Sequence, residues 1–299
     1  MGRSGLGIHL PNGGFLDMKF SYLKKVAVEA EEQGYDSIWV ADHLIYPESL
    51  GPSNIYEPLT TLAALSSTTS SIVLGTSVLL PLRHPLVIAK MLSTLDHASN
   101  GRIALGIGAG WYKPEFDAVA VPFDRRGEIE EETIVLLGRL LTEGNASFSG
   151  KHFRAEDLSL NPKPIQKPRP RIWIGGGVQK TFERIAKYGD GWLSWSPTPE
   201  TFSCGISRIR KYCRVFGRDT SKIEFAADFV SCVKKDGEVA RREAERMHLR
   251  KENSIIGNPE ECLEQIDEYV RLGADHIILG FKPYGQEIES MKMIMEEID

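Results

Sequence analysis

Ser37-Ile38-Trp39-Val40-Ala41-Asp42-His43 is a continuous apolar run that ends in an ionisable pair. A strand buried on both faces reads as such a run, and the carboxyl end of a parallel strand is where α/β proteins place their ligands. The same grammar recurs outward from this stretch. Ile72-Val73-Leu74-Gly75-Thr76-Ser77-Val78, Ile103-Ala104-Leu105-Gly106-Ile107-Gly108-Ala109-Gly110 and Ile172-Trp173-Ile174-Gly175-Gly176-Gly177 each pass from apolar to small or polar residues just before a helical pattern.

Between these runs lie helix signals. Phe20, Leu23, Ala27 and Ala30 recur at helical spacing and Gly34 closes that segment. Glu57-Pro58 and Pro85 open two further helices, and Asn258-Pro259-Glu260-Glu261 opens another. Strands are expected at 6–10, 37–41, 72–79, 103–107, 171–174, 191–195, 223–233 and 276–281. Eight strands alternating with helices over 299 residues predict a (β/α)8 TIM barrel, a single domain spanning 1–299. The block 111–170 breaks the rhythm and is read as an insertion after strand 4. It holds a helix over about 124–141, a short hairpin around Ser149-Gly150 and a proline-rich extended stretch from Asn161 to Pro170. Its acidic run Glu128 to Glu132 reads as a solvated helix start.

Composition narrows the function. A formal charge of −5 with scattered basic residues argues against nucleic acid. No apolar run reaches the roughly 18 residues a membrane span needs, and the first twenty residues lack a secretory pattern, so a cytoplasmic protein is expected. The four cysteines have no CxxC or zinc spacing, and no metal site is expected.

Asp42-His43 is the strongest candidate for acid–base chemistry, because histidine titrates near neutrality and a neighbouring carboxylate can orient it or a bound ring. A histidine merely hydrogen-bonded at a strand end is the alternative. His9 in the first strand is a weaker candidate, and His84 is either a cofactor-tail contact or a turn residue. His97, His152, His248 and His276 read as structural or exposed. Gly106-Ile107-Gly108-Ala109-Gly110 lacks the spacing of a dinucleotide fingerprint and reads as a place of close backbone approach. Gly175-Gly176-Gly177, between a strand and a helix, could cradle a phosphate on backbone amides or simply turn the chain. Most of the five tryptophans should be core, with Trp111 a candidate pocket wall.

These residues resemble the luciferase-like monooxygenase superfamily. The resemblance covers nearly the whole chain and rests on Gly34 to His43, Glu57-Pro58-Leu59-Thr60-Thr61-Leu62-Ala63-Ala64-Leu65, Ile72 to Val78, Arg83-His84-Pro85, Thr94-Leu95-Asp96, Gly101-Arg102, Gly108-Ala109-Gly110-Trp111, Glu115-Phe116 and Trp173 to Gly176. It looks most like the branch that uses coenzyme F420, a deazaflavin, for hydride transfer. The resemblance implies His43 as the catalytic acid or base and Asp42 as a contact to the deazaflavin ring. Thr76, Ser77 and Val78 would lie behind the ring, where several relatives hold a non-prolyl cis bond. Gly108, Ala109, Gly110, Gly175, Gly176 and Gly177 would line the cofactor, and Tyr46, Trp111 and Trp195 an apolar substrate pocket.

Two departures separate the chain from the sugar-phosphate dehydrogenases of the superfamily. Leu44-Ile45-Tyr46-Pro47 follows the Asp-His pair instead of a tryptophan, and Trp111 stands where those enzymes carry a glutamate. The expected function is F420-dependent hydride transfer to or from a small organic substrate. The alternatives are an FMN-dependent two-component monooxygenase served by a separate cofactor reductase, and a non-catalytic barrel that binds a flavin-type ligand. A homodimer is expected.

Overall fold

The computed structural model describes residues 4–13, 18–45 and 54–298. Eight parallel strands close on themselves: β1 (Gly5–His9), β2 (Ser37–Val40), β3 (Val73–Thr76), β4 (Ile103–Ile107), β7 (Arg171–Gly175), β8 (Gly191–Trp195), β9 (Glu224–Val233) and β11 (His276–Phe281), in that ring order, with β11 returning to β1. The remaining strands lie outside the ring. β5 (Ala146–Ser149) and β6 (Arg154–Leu158) form an antiparallel hairpin. β10 (Ile255–Gly257) adds in parallel to β9. The protein is a TIM barrel.

The wall is built from α1 (Phe20–Glu32), α2 (Pro58–Ser66), α3 (Pro85–Ala98), α5 (Arg126–Thr142), α6 (Gln179–Tyr188), α7 (Pro199–Val215), α9 (Pro259–Leu272) and α10 (Glu287–Ile298), with α4 (Lys113–Ala118) and α8 (Gly237–Arg246) as additions. Their starts follow the sequence signals. Glu57 accepts from the Thr60 amide at 2.7 Å ahead of Pro58, and Asn258 with Glu261 completes a reciprocal capping box.

The block from 111 to 170 contains one of the barrel's own helices. α5 packs between α3 and α6, so it fills the wall position after β4, and the material added to the plain repeat is α4, the hairpin and the extended stretch behind it. Nor is the acidic run simply solvated. Glu130 is buried and pairs with Arg184 Nη1 at 2.7 Å, while Glu132 accepts the backbone amides of Lys151, His152 and Phe153 and so holds the hairpin's turn.

Two cores result. The larger lies between strands and helices. The smaller fills the lumen with Trp39, Ala104, Trp173, Leu193, Ala226 and Ile278, the two indoles stacked at 5.0 Å. At the amino ends of the strands the lumen is plugged by His276, whose Nε2 lies 2.7 Å from Ser37 Oγ, and Ser37 Oγ in turn accepts from Trp39 Nε1 at 2.7 Å. Burial drives the His276 pKa down to about 4, against the opposing pull of Asp36 and Asp228. The floor of the barrel therefore carries a half-buried imidazole whose charged form is disfavoured.

Candidate active site

β2 ends one residue before Ala41, and the chain leaves it with Asp42 and His43 at the carboxyl rim. Their side chains go to different places. Asp42 is buried, and both its oxygens are engaged: Oδ2 accepts from Arg83 Nη1 at 2.7 Å and from the Leu80 amide at 2.8 Å, and Oδ1 accepts from Arg83 Nη2 at 3.0 Å. Burial pushes its carboxyl up, and the guanidinium fork and the amide oppose that. Arg83 also reaches Glu57 Oε1 at 3.0 Å. In the described chain Asp42 fastens the segment after β3 to the rim.

His43 meets a carboxylate that is distant in sequence. Its Nδ1 lies 2.8 Å from Glu115 Oε2, and Glu115 is fully buried at the start of α4. The other oxygen, Glu115 Oε1, accepts the backbone amides of Leu44 and Ile45. One buried carboxylate thus fixes both the imidazole and the backbone beyond it. With Nδ1 donating to the carboxylate, the imidazole is held in one tautomer. Trp111 stands edge-on to the ring, 5.8 Å between centroids and 81° between planes, and is 56% exposed. Tyr46 lies outside the described residues.

After β3 the Ser77–Val78 bond is cis. Thr76 Oγ1 donates to the Gly106 carbonyl at 2.6 Å, so this side chain ties β3 to β4 and is buried away from the mouth. Val78 occupies space that two glycines leave. A Cβ on Gly108 would stand 2.5 Å from Val78 Cγ2, and one on Gly175 would stand 2.8 Å from Val78 Cγ1. These glycines therefore seat the valine beside the mouth.

Gly110 turns at positive φ and its carbonyl accepts from Arg126 Nε at 3.1 Å, with Ala109 half-buried before it. Gly176 also has positive φ, and its carbonyl accepts from Trp192 Nε1 at 2.8 Å. Gly177 is open, with no heavy atom within 4 Å of a Cβ built there. Helix α6 begins two residues later without any side chain capping its first turn. An uncapped helix start behind a glycine turn is a place where an anionic group can meet backbone amides.

Trp195, at the end of β8, is 58% exposed and lies edge-on to His9 at 5.4 Å. The other three tryptophans, Trp39, Trp173 and Trp192, are buried. His84 caps α3 by accepting the Leu86 amide at 3.2 Å and packs on Phe153. His97 contacts the Lys163 carbonyl at 2.8 Å and His152 the Glu128 carboxylate at 3.4 Å. Among the described residues no group of three or more His, Cys, Asp or Glu could hold a metal, and no helix is long and apolar enough to cross a membrane.

The sequence profile of the luciferase-like monooxygenases matches residues 2–253. The chain belongs to that family. It is accordingly an enzyme, an oxidoreductase whose relatives use a flavin or a deazaflavin. It is 27% identical to an FMNH2-dependent dimethylsulfone monooxygenase of Pseudomonas putida, over 90% of this chain and 85% of that one. Its fold superposes on an F420-dependent secondary alcohol dehydrogenase with a TM-score of 0.86, at 20% identity and 99% coverage of both chains. A long-chain alkane monooxygenase matches at a TM-score of 0.85, at 15% identity over all of this chain and 91% of that one.

Glu115 is the residue the sequence reading passed over as a site. It stands four residues after Trp111, and only folding brings its carboxylate to His43.

Proposed function

We propose that this protein is an F420-dependent oxidoreductase that moves a hydride between the deazaflavin and a small organic substrate. The observation that carries this reading is the His43–Glu115 couple at the rim. Interconverting an alcohol and a carbonyl, or reducing a polarised double bond, needs a positioned proton donor or acceptor as well as a hydride. A bound deazaflavin would give the hydride in its reduced form and take it up in its oxidised form. His43 supplies or takes the accompanying proton at Nε2, while Glu115 holds the ring in one tautomer and stabilises the imidazolium when it forms. Trp111 shields this exchange with an apolar surface.

The residues present fit such a cofactor. Gly175 to Gly177 and the uncapped start of α6 would receive an anionic tail, and Ser77-Val78, with Gly108 and Gly175 behind it, would back the ring. The same cradle suits FMN. The second reading is therefore a monooxygenase using reduced FMN and oxygen, with a separate reductase as partner. It is favoured by the likeness to the dimethylsulfone enzyme across 90% of the chain.

A parallel fluorescence titration separates the two. Micromolar affinity for F420 with much weaker FMN binding is the expected result. The reverse order overturns the hydride-transfer reading and directs the next assay to oxygen uptake.

A further inference from the structure

The lumen holds a second histidine–carboxylate couple. His9 closes β1, and its Nδ1 lies 2.9 Å from Oδ2 of Asp228 on β9. Ser77 Oγ donates to the same oxygen at 2.7 Å. In the ring order β3 and β9 are diametrically opposed, so the Ser77–Asp228 bond crosses the barrel. Gly280 on β11, between β1 and β9, leaves the room: a Cβ there would stand 3.3 Å from His9 Cβ. Asp228 lies one inward position beyond Ala226, which packs in the lumen core with Trp39 and Trp173. The result is a polar bar across the lumen on the side of the carboxyl ends.

Packing does not account for this bar. Asp228 interrupts the apolar stretch Phe225-Ala226-Ala227-Asp228-Phe229, is fully buried, and its Oδ1 has no hydrogen-bond partner among the described residues. Desolvating a carboxylate costs several kcal/mol unless donors or a cation meet it, so an apolar residue would serve packing better.

The match to the first couple is close. The Nδ1-to-carboxylate distances are 2.8 and 2.9 Å, both carboxylates are buried, and the histidine side chains keep 15% and 12% exposure. Each imidazole also meets the edge of an exposed tryptophan, Trp111 for His43 and Trp195 for His9.

We propose that His9 is a second proton-handling residue of the mouth, one that hydrogen-bonds a carbonyl or hydroxyl oxygen of the bound ligand, with Asp228 as its positioning residue. Asp228 takes Nδ1 and leaves exchange to Nε2, as Glu115 does for His43. The ligand oxygen belongs either to the cofactor ring or to an oxygenated substrate. The inference rests on the mouth being the active site.

The test is 15N NMR of the full chain labelled at its seven histidines, read free, saturated with F420 or FMN, and then with acetoin added as an oxygenated substrate probe. The His9 and His43 imidazole signals should both shift on ligand addition while His276 stays fixed. A His9 shift with cofactor alone assigns the oxygen to the ring, and a shift only after acetoin assigns it to the substrate. A His43 shift with His9 unmoved throughout overturns the proposal and leaves the bar structural. If neither histidine moves with either cofactor, the reading of the mouth as the active site fails, and this inference with it. The near-isosteric Asp228→Asn should change the tautomer signature of His9 and spare the His43 shift. An unchanged His9 signature would remove Asp228 from the role.

Discussion

The two ends of the barrel use histidine in opposite ways. At the amino ends, His276 has hydroxyl company from Ser37, packs edge-on against the stacked indoles of Trp39 and Trp173, and has its pKa pushed down by burial. At the carboxyl ends, His43 and His9 each have a buried carboxylate on Nδ1 and keep part of the ring in solvent. An imidazole with a hydroxyl partner and no carboxylate in contact has nothing beside it to offset the cost of charging it. An imidazole backed by a carboxylate is oriented and held in one tautomer by it. Residue type alone does not separate these jobs. The ring's hydrogen-bond partner does.

The largest effect expected from this contrast is on turnover. His43→Ala should lower the rate by about 10²–10⁴-fold with folding intact, measured with the cofactor that the titration selects. Near-unchanged turnover would remove His43 from the mechanism. Glu115→Gln should cost less, roughly 10–100-fold in turnover, with a change in the pH–rate profile, because the amide supports neither the imidazolium nor a single tautomer. A loss confined to melting temperature would make Glu115 a brace for the rim only.

The opposite end should show itself in stability. An unfolded His276 titrates near 6.5 and the folded one at about 4, so the unfolded state binds more protons between these values. This contribution is fully present above pH 6.5 and is lost as pH falls toward 4, on the order of 3 kcal/mol in all. Denaturant melts across that range should show the slope, and His276→Gln should flatten it. An equal slope in the variant would assign the acid sensitivity elsewhere.

A smaller effect is expected at the cradle. Gly108→Ala drives a Cβ into Val78, so the valine must shift at a cost of about 1–3 kcal/mol. Cofactor affinity should fall by roughly tenfold, read from the same fluorescence titration. Unaltered affinity would mean that the bound ring does not rest on Val78.

The barrel was legible in the sequence because parallel strands buried on both faces are written as uninterrupted apolar runs, such as Ile103 to Ile107 or His276 to Phe281. β10 was missed because three residues carry no period. The wall helix α5 is hard to tell from inserted material in the sequence because the short helix α4 precedes it and the hairpin follows. Strand ends pointed to His43, since a strand's last residues and the chemistry of histidine are both local facts. The partners were not local. Glu115 lies 72 residues from His43, and Asp228 lies 219 residues from His9. For Asp228 the signal was present all the same: a charge inside an otherwise apolar strand has to be matched by something. For Glu115 the carboxylate near a helix start was indistinguishable from one placed there for the helix dipole.

The measurement that bears most directly on the mouth as the active site is a crystal structure with the bound cofactor. The ring should lie at the carboxyl ends of the strands, against Ser77-Val78 and beside His43, with its anionic tail at the start of α6. A ring bound instead in the roughly 300 Å³ cavity lined by Leu82, His84, Val121 and Phe153 would contradict that assignment.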